Sequence, residues 1–220
     1  GIPVCWPWFG QLHPDINEHK LAHGLVRQQL WELDAKVSTA KSVSITLSPT
    51  DLTHPLWPQG LTCQLIITLT HDHLEVKLLS HNKGEKPVPL SCALHSYFAI
   101  DDLPETSLSG ITGEYSDNAN EGAIGSTPET YRFTGEVDRI HPNTDNILST
   151  DIYHKDRPIT AITHAGHDSL VIWNPWRNKS QSFVDFADDE YLQMICVETA
   201  LTQHFELAPH NHHQLIQTIA

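Results

Sequence analysis

Two residues could carry acid–base chemistry, and both stand where such residues are costly. His95 lies inside the apolar run Ser91 to Ile100, SCALHSYFAI, and Glu198 near the end of a second run, Tyr191 to Ala200, YLQMICVETA. Segments this apolar read as buried strands. An ionised acid embedded in one loses its hydration, so it ordinarily has a partner or a purpose. Facing each other across a pocket, an imidazole and a carboxylate can move protons onto and off a bound molecule. The bland alternative is a hydrogen-bonded core histidine and a solvated acid at a strand end. Composition alone favours that alternative.

Other chemistries find less support. His71 and His73 alternate on a strand end, with Glu75 two residues on. A cupin-like metal site wants its carboxylate further along, and hairpin tips are solvated. His210, His212 and His213 near the C-terminus are no better placed, so no metal is expected. GxSxG, a P-loop and GxGxxG are all absent, which leaves nucleophilic hydrolysis and nucleotide chemistry without a motif. What remains is a pocket with one histidine, one carboxylate, many tryptophans and a few arginines. Flat aromatic faces suit the C–H faces of sugar rings, and arginine suits phosphate.

The 27 acidic against 13 basic residues give a formal net charge of −14, which repels nucleic acid and anionic membranes. A phosphorylated ligand would need a local arginine cluster, and only Arg27, Arg132, Arg139, Arg157 and Arg177 are available. Cys5, Cys63, Cys92 and Cys196 form no CxxC pair and read as buried thiols of a reducing compartment. No apolar run reaches the roughly 18 residues of a membrane span, and no signal peptide is visible, so a cytoplasmic location is expected.

The elements that must position these residues are strands. Leu61 to Thr70 places Leu61, Cys63, Leu65, Ile67 and Leu69 on one face. Leu74 to Ser80 answers with Leu74, Val76 and Leu78 across the short connection His71 to His73, which makes a hairpin. Residues 1–14 hold three prolines and read as irregular or edge structure, in which two tryptophans and Phe9 line a pocket or plug the core. Residues 15–33 put His23, Gly24 and Arg27 in a loop leading into a strand. Residues 101–130 read as a long excursion with short strands. Further strands are expected at Ser42 to Leu47, Ile147 to Tyr153, Ile159 to His164, Ser169 to Trp173, Ser182 to Phe186, Gln193 to Glu198, His204 to Leu207 and Gln214 to Thr218. No amphipathic helix longer than two turns is evident. The pattern is that of an antiparallel β-sandwich or barrel.

Six motifs then appear together in order: GIPVCWPWFG, HGLVR, LHSYF, GEVDRI, IWNPW with DF after it, and MICVETA. In this combination the chain resembles the hexose-6-phosphate mutarotases, the glucose-6-phosphate 1-epimerase branch of the aldose 1-epimerase superfamily. The resemblance runs from residue 1 to about residue 216. It implies an all-β, galactose-mutarotase-like β-supersandwich in a single domain over residues 1–220. It also implies interconversion of the α and β anomers of an aldohexose 6-phosphate, with no metal or organic cofactor. The histidine of the family's H-x-Y-F motif and the glutamate of its C-V-E motif are catalytic, and they fall on His95 and Glu198. The arginine of HGxxR falls on Arg27 and the aspartate of D-R on Asp138, both substrate-binding positions in the family. His23, Trp8, Tyr97 and Trp173 are further candidates to border the sugar.

Three departures accompany the resemblance. Ala22 stands where some members carry glutamine before the HG pair. Pro209–His210 stands where the family has proline–glycine. The family also has strands and a phosphate-binding arginine before the GIP motif, where this sequence starts, so the sandwich is expected to be N-terminally incomplete. The partner expected is a small sugar phosphate, handled by a monomer or weak dimer. In the mechanism so implied, Glu198 takes the O1 proton, protonated His95 gives one to the ring oxygen, the C1–C2 bond rotates and the ring closes on the other face. The alternatives are an epimerase of unphosphorylated aldoses and a non-catalytic sugar-binding sandwich.

Overall fold

The computed structural model describes residues 1–11, 21–143, 145–184 and 186–220. Their regular structure is almost wholly strand, and every strand pairing is antiparallel. One sheet has eight strands. Val4–Cys5, Cys92–Leu94, Met194–Leu201, Ser169–Asn174, Val137–Pro142, Glu114–Asp117 and Ala123–Ser126 follow one another across it, and Tyr97–Ala99 also pairs with Met194–Leu201. The other has nine, in the order Tyr131–Arg132, Thr106–Ser109, Ser149–His154, Arg157–Ala165, His212–Ile219, Leu74–Asn82, Leu61–Thr70, Ser42–Pro49 and Trp31–Ser38.

The two-residue period of the sequence decides which face each residue takes. In the expected hairpin Leu65 stands opposite Leu78 and Ile67 opposite Val76, and the apolar set turns inward except Leu69, which is exposed near the hairpin end. From the eight-stranded sheet, Leu170, Ile172, Ile195 and Val197 pack with Leu108, Ile152 and Ile162 of the nine-stranded one. A second cluster joins Leu61, Leu78 and Leu215 to Val4, Trp6, Cys92 and Leu94. Each such aliphatic side chain contributes about 1.5–3 kcal/mol when fully buried. The alternate residues of the same strands, Val171, Trp173, Cys196 and Glu198, necessarily face away from this interlayer core. Val171 there joins a small cluster with Cys5, Phe9, Ala93 and Ala200. The outer face of the eight-stranded sheet is where chemistry has room.

Most expected strands form, with three corrections. The run Ser91 to Ile100 is not one strand but two, Cys92–Leu94 and Tyr97–Ala99. Its backbone leaves the ladder between them: His95 N–H donates to the Pro3 carbonyl and Ser96 N–H turns back to Leu94. Ser182 to Phe186 is no strand among its described residues. The short helix Trp176–Ser180 precedes it, and the N–H groups of Ser182 and Phe183 fold back onto Lys179 and Ser180. His204 to Leu207 shrinks to Glu206–Leu207, paired with Val88–Pro89. Residues 101–130 hold three short strands, as expected, and these serve both sheets. The parts of the N-terminal expectations that fall on residues 12–20 lie outside the described residues.

His210, which stands where the resemblance has glycine, adopts φ +57°, a left-handed turn position occupied here by a residue with a side chain. All four cysteines are free and buried. No described helix is long and apolar enough to cross a membrane.

Candidate active site

The break in the His95 strand is what builds the site. Leu94 pairs with Thr199 and Tyr97 with Cys196, so His95 and Ser96 stand beside Val197 and Glu198 without a regular ladder. A backbone out of register frees the imidazole to lean across the neighbouring strand. His95 Nδ1 lies 3.3 Å from Glu198 Oε1. The two side chains are only 6% and 1% exposed. Even so, His95 Nδ1 and Glu198 Oε2 have no hydrogen-bond partner among the described residues. A buried polar atom left unpaired costs roughly 1–3 kcal/mol. Two such atoms side by side, on the wall of a cavity, mark a place shaped for a polar guest.

Burial sets the charge state of the pair. It pushes the His95 imidazole down to about 3, helped by the positive potential of His23 and Arg27. It raises the Glu198 carboxyl well above the usual carboxylate range. The Asp138 carboxylate adds to that, and Arg27 opposes it. Both shifts favour the neutral form of the pair, with the mobile proton on Glu198. The mechanism implied by the resemblance runs through the other form, carboxylate beside imidazolium, which burial disfavours because an ion pair this deep loses more hydration than it regains. The two forms still hold the same proton, displaced across the 3.3 Å gap.

Around the pair lies a cavity of about 490 Å³. It brings together His23, Arg27, His95, Tyr97, Asp138, Trp173 and Glu198, seven of the eight side chains expected from the sequence. Cross-strand registry does the assembling. Asp138 pairs with Trp173, Trp173 with Cys196 and Cys196 with Tyr97, while Val171 pairs with Glu198. The Tyr97 ring stacks on His95 at 5.0 Å and 10°, and Trp173 meets His95 edge-on at 5.9 Å. These contacts fix the imidazole plane. Asp138 accepts from Asn118 at 3.1 Å, lies 3.8 Å from Lys179, and has its pKa raised by burial. Trp8 is the exception. It is buried, donates its indole N–H to the Leu21 carbonyl and does not line the cavity. Phe9 lines the cavity in its place.

The HG pair has a clear backbone cause. Gly24 sits at φ +83°, and a Cβ on it would meet the Trp6 carbonyl oxygen at 2.0 Å. That contact lets Leu25 N–H donate to the same carbonyl at 2.8 Å, which holds the loop against the first strand. His23, also at positive φ, then accepts from Gly10 N–H through Nδ1 and approaches His95 edge-on at 5.7 Å. Gly24→Ala should therefore cost about 2 kcal/mol or more in denaturant unfolding, and displace His23 and Arg27 with it.

Sequence reasoning missed Lys179, Phe183, Phe186 and Glu190 on the cavity wall. The available signal was Asn-Pro-Trp. Asn174 Oδ1 accepts from Trp176 N–H and starts the five-residue helix that carries Lys179. Its Nδ2 donates to the Tyr191 and Met194 carbonyls and closes the loop that follows. As for metal, the ligand atoms of His95, Cys196 and Glu198 lie within 4.8 Å of one another, and no other trio among the described residues does so. Burial, with Glu198 beside it, pushes the Cys196 thiol up, so the thiolate a metal needs is disfavoured.

Comparison with known proteins bears on family and fold. The aldose 1-epimerase family matches residues 1–220. An Escherichia coli protein provisionally named glucose-6-phosphate 1-epimerase is 32% identical over 209 residues, covering 91% of this chain and 66% of the relative. One of the same provisional name from Cenchrus ciliaris is 27% identical, covering 92% and 64%. The chain thus spans about two thirds of the length of these relatives. The crystal structure of a provisionally assigned mutarotase from Salmonella typhimurium superposes with a TM-score of 0.85 at 28% identity, covering 100% of this chain and 73% of that one. At 13% identity, a galactose mutarotase related enzyme from Lactobacillus acidophilus shares the fold, with a TM-score of 0.73 over 100% of this chain and 82% of its own. With its β-sandwich and the whole of its length matched, the chain belongs to the aldose 1-epimerase family.

Proposed function

We propose that this protein interconverts the α and β anomers of an aldohexose 6-phosphate, with His95 and Glu198 as the proton-transferring pair. The observation that carries the reading is that pair: two buried groups 3.3 Å apart, with unpaired atoms beside a cavity of sugar size. Opening a hemiacetal requires one proton to leave O1 and one to reach the ring oxygen. Transfer of the Glu198 proton to His95 gives a carboxylate whose free Oε2 takes the O1 proton. The imidazolium then protonates the ring oxygen. The C1–C2 bond rotates, and the same two transfers run in reverse on the other face of the aldehyde. No net proton is gained or lost, so the pair is ready for the next turn. A desolvated site strengthens each of these interactions, and Tyr97 and Trp173 keep the imidazole aligned while the sugar turns over. Asp138 accepts hydrogen bonds from sugar hydroxyls. The sugar phosphate is the partner, and a cytoplasmic site of action fits four free thiols.

Arg27 is the proposed phosphate anchor. It is exposed at the cavity rim and has no ion pair with a described residue. A guanidinium there offsets the repulsion of an anionic substrate by an acidic protein. The cavity wall also favours a second reading. Lys179 is already held by Glu136 at 2.8 Å and lies 3.8 Å from Asp138, so Arg27 is the one cation of the wall without an ion pair among the described residues. Such a wall would also admit an unphosphorylated aldose. Arg27→Ala separates the two. On the first reading it raises KM for glucose 6-phosphate ~10–100-fold, as loss of a charge-assisted bond of ~1.5–3 kcal/mol implies, and barely changes KM for galactose. An equal effect on both sugars favours the second reading.

A further inference from the structure

Beneath the pair, on the side away from the cavity, lies a polar chain buried between the two sheets. Gln217, on the strand His212–Ile219, is fully buried and makes three hydrogen bonds with its side chain. Its Oε1 accepts from Ser96 Oγ at 2.5 Å. Its Nε2 donates to the Val197 carbonyl at 3.0 Å and to Thr199 Oγ1 at 2.9 Å. These partners are the chain neighbours of the two reacting residues: Ser96 follows His95, and Val197 and Thr199 flank Glu198. Thr199 Oγ1 in turn lies 2.8 Å from His164 Nδ1, whose Nε2 lies 3.3 Å from Thr150 Oγ1. Burial holds His164 down at about 3, so it is neutral and can accept from Thr199 while donating to Thr150. Every polar group in the chain is satisfied.

We propose that Gln217 is a positioning residue for the proton-transferring pair. The strand break at His95 frees the imidazole, but it also removes the ladder bonds that would hold Ser96 against Val197; one bond, Val197 N–H to the Ser96 carbonyl at 3.2 Å, remains. The Gln217 carboxamide makes good that loss. It is a donor and an acceptor in one rigid plane, and it ties the broken strand to the Glu198 strand from behind. Neither aspartate nor leucine could do this, the first for reach and the second for polarity. A polar side chain in the middle of an aliphatic interlayer contributes little to stability over an apolar one, because its bonds only repay its desolvation. What it adds is a fixed distance between His95 and Glu198, and proton transfer is sensitive to that distance.

This inference rests on the proposed anomerase reading, and its test keeps the two apart. Anomer exchange would be measured for the wild type, Gln217→Met and Ser96→Ala, with thermal unfolding of each. Gln217→Met keeps length and removes all three bonds. It should lower kcat ~10–100-fold and change KM less than ~3-fold, as a misplaced reacting group does. It should also move the alkaline limb of the pH–rate profile, because that limb reports the pair. Ser96→Ala removes one bond without changing the packing and should lower kcat ~3–10-fold, so the proposal is testable even if Gln217→Met does not fold. A purely structural role would lower the unfolding temperature while leaving kcat and the pH limb of the folded variants unchanged, and that result overturns the proposal. An inactive wild type would instead overturn the reading of the site and the proposal with it.

Discussion

Glu198→Gln is expected to slow catalysed anomer exchange by ~10²–10⁴ while leaving the fold intact, the size typical of a lost positioned proton donor or acceptor. The substitution is almost isosteric. It takes away the carboxyl whose proton the pair exchanges, and the carboxamide can neither release a proton nor accept the one from O1. Stability should hold or rise, since the variant buries a neutral amide where the parent buries an acid that resists ionising. Circular dichroism and thermal unfolding separate this outcome from misfolding. In the parent, the rate should fall as pH rises through the elevated pKa of Glu198, because the pair then loses its only mobile proton. It should stay high well below the usual imidazole value, because His95 gains a second proton only near 3. Glu198→Gln should abolish that alkaline limb. A variant that retains it with wild-type rates would show that the proton comes from elsewhere.

His95→Ala should cost a similar ~10²–10⁴, and the double variant with Glu198→Gln should be no worse than about tenfold below either single one. Groups that relay one proton act as a unit, so the second loss finds little left to remove. Full additivity of the two effects would mean independent roles and contradict the pair. His95→Ala also removes the ring on which Tyr97 stacks and which Trp173 and His23 meet edge-on, so some loss of stability accompanies the loss of rate. His95→Asn keeps a polar side chain in the space and should show the rate loss with less destabilisation.

How far the sequence reveals this can be argued residue by residue. The strands were legible because burial of one sheet face imposes a period of two, as in Leu61, Cys63 and Leu65 against Val76 and Leu78. His95 and Glu198 were legible because polar groups in apolar runs are anomalous. Their contact was not, since it depends on two strands becoming neighbours across about a hundred residues. The break between Leu94 and Tyr97 was hidden too, for its cause is a backbone bond to Pro3, far away in sequence. Lys179 and Glu190 were missed because the helical turns that carry them, five and four residues long, are too short to show a period. Trp8 was assigned to the pocket because composition cannot say which of Trp6, Trp8 and Phe9 points outward. The preference of the pair for its neutral form was hidden for a similar reason: desolvation is a property of the folded site, not of the residue types.

The most direct test of the central claim is two-dimensional exchange NMR on the anomeric protons of glucose 6-phosphate at equilibrium, with and without the purified protein. Exchange cross-peaks between the α and β signals should appear at catalytic protein concentrations and vanish with Glu198→Gln. Exchange no faster than buffer with the folded wild-type protein, or equally fast with both proteins, would contradict the account.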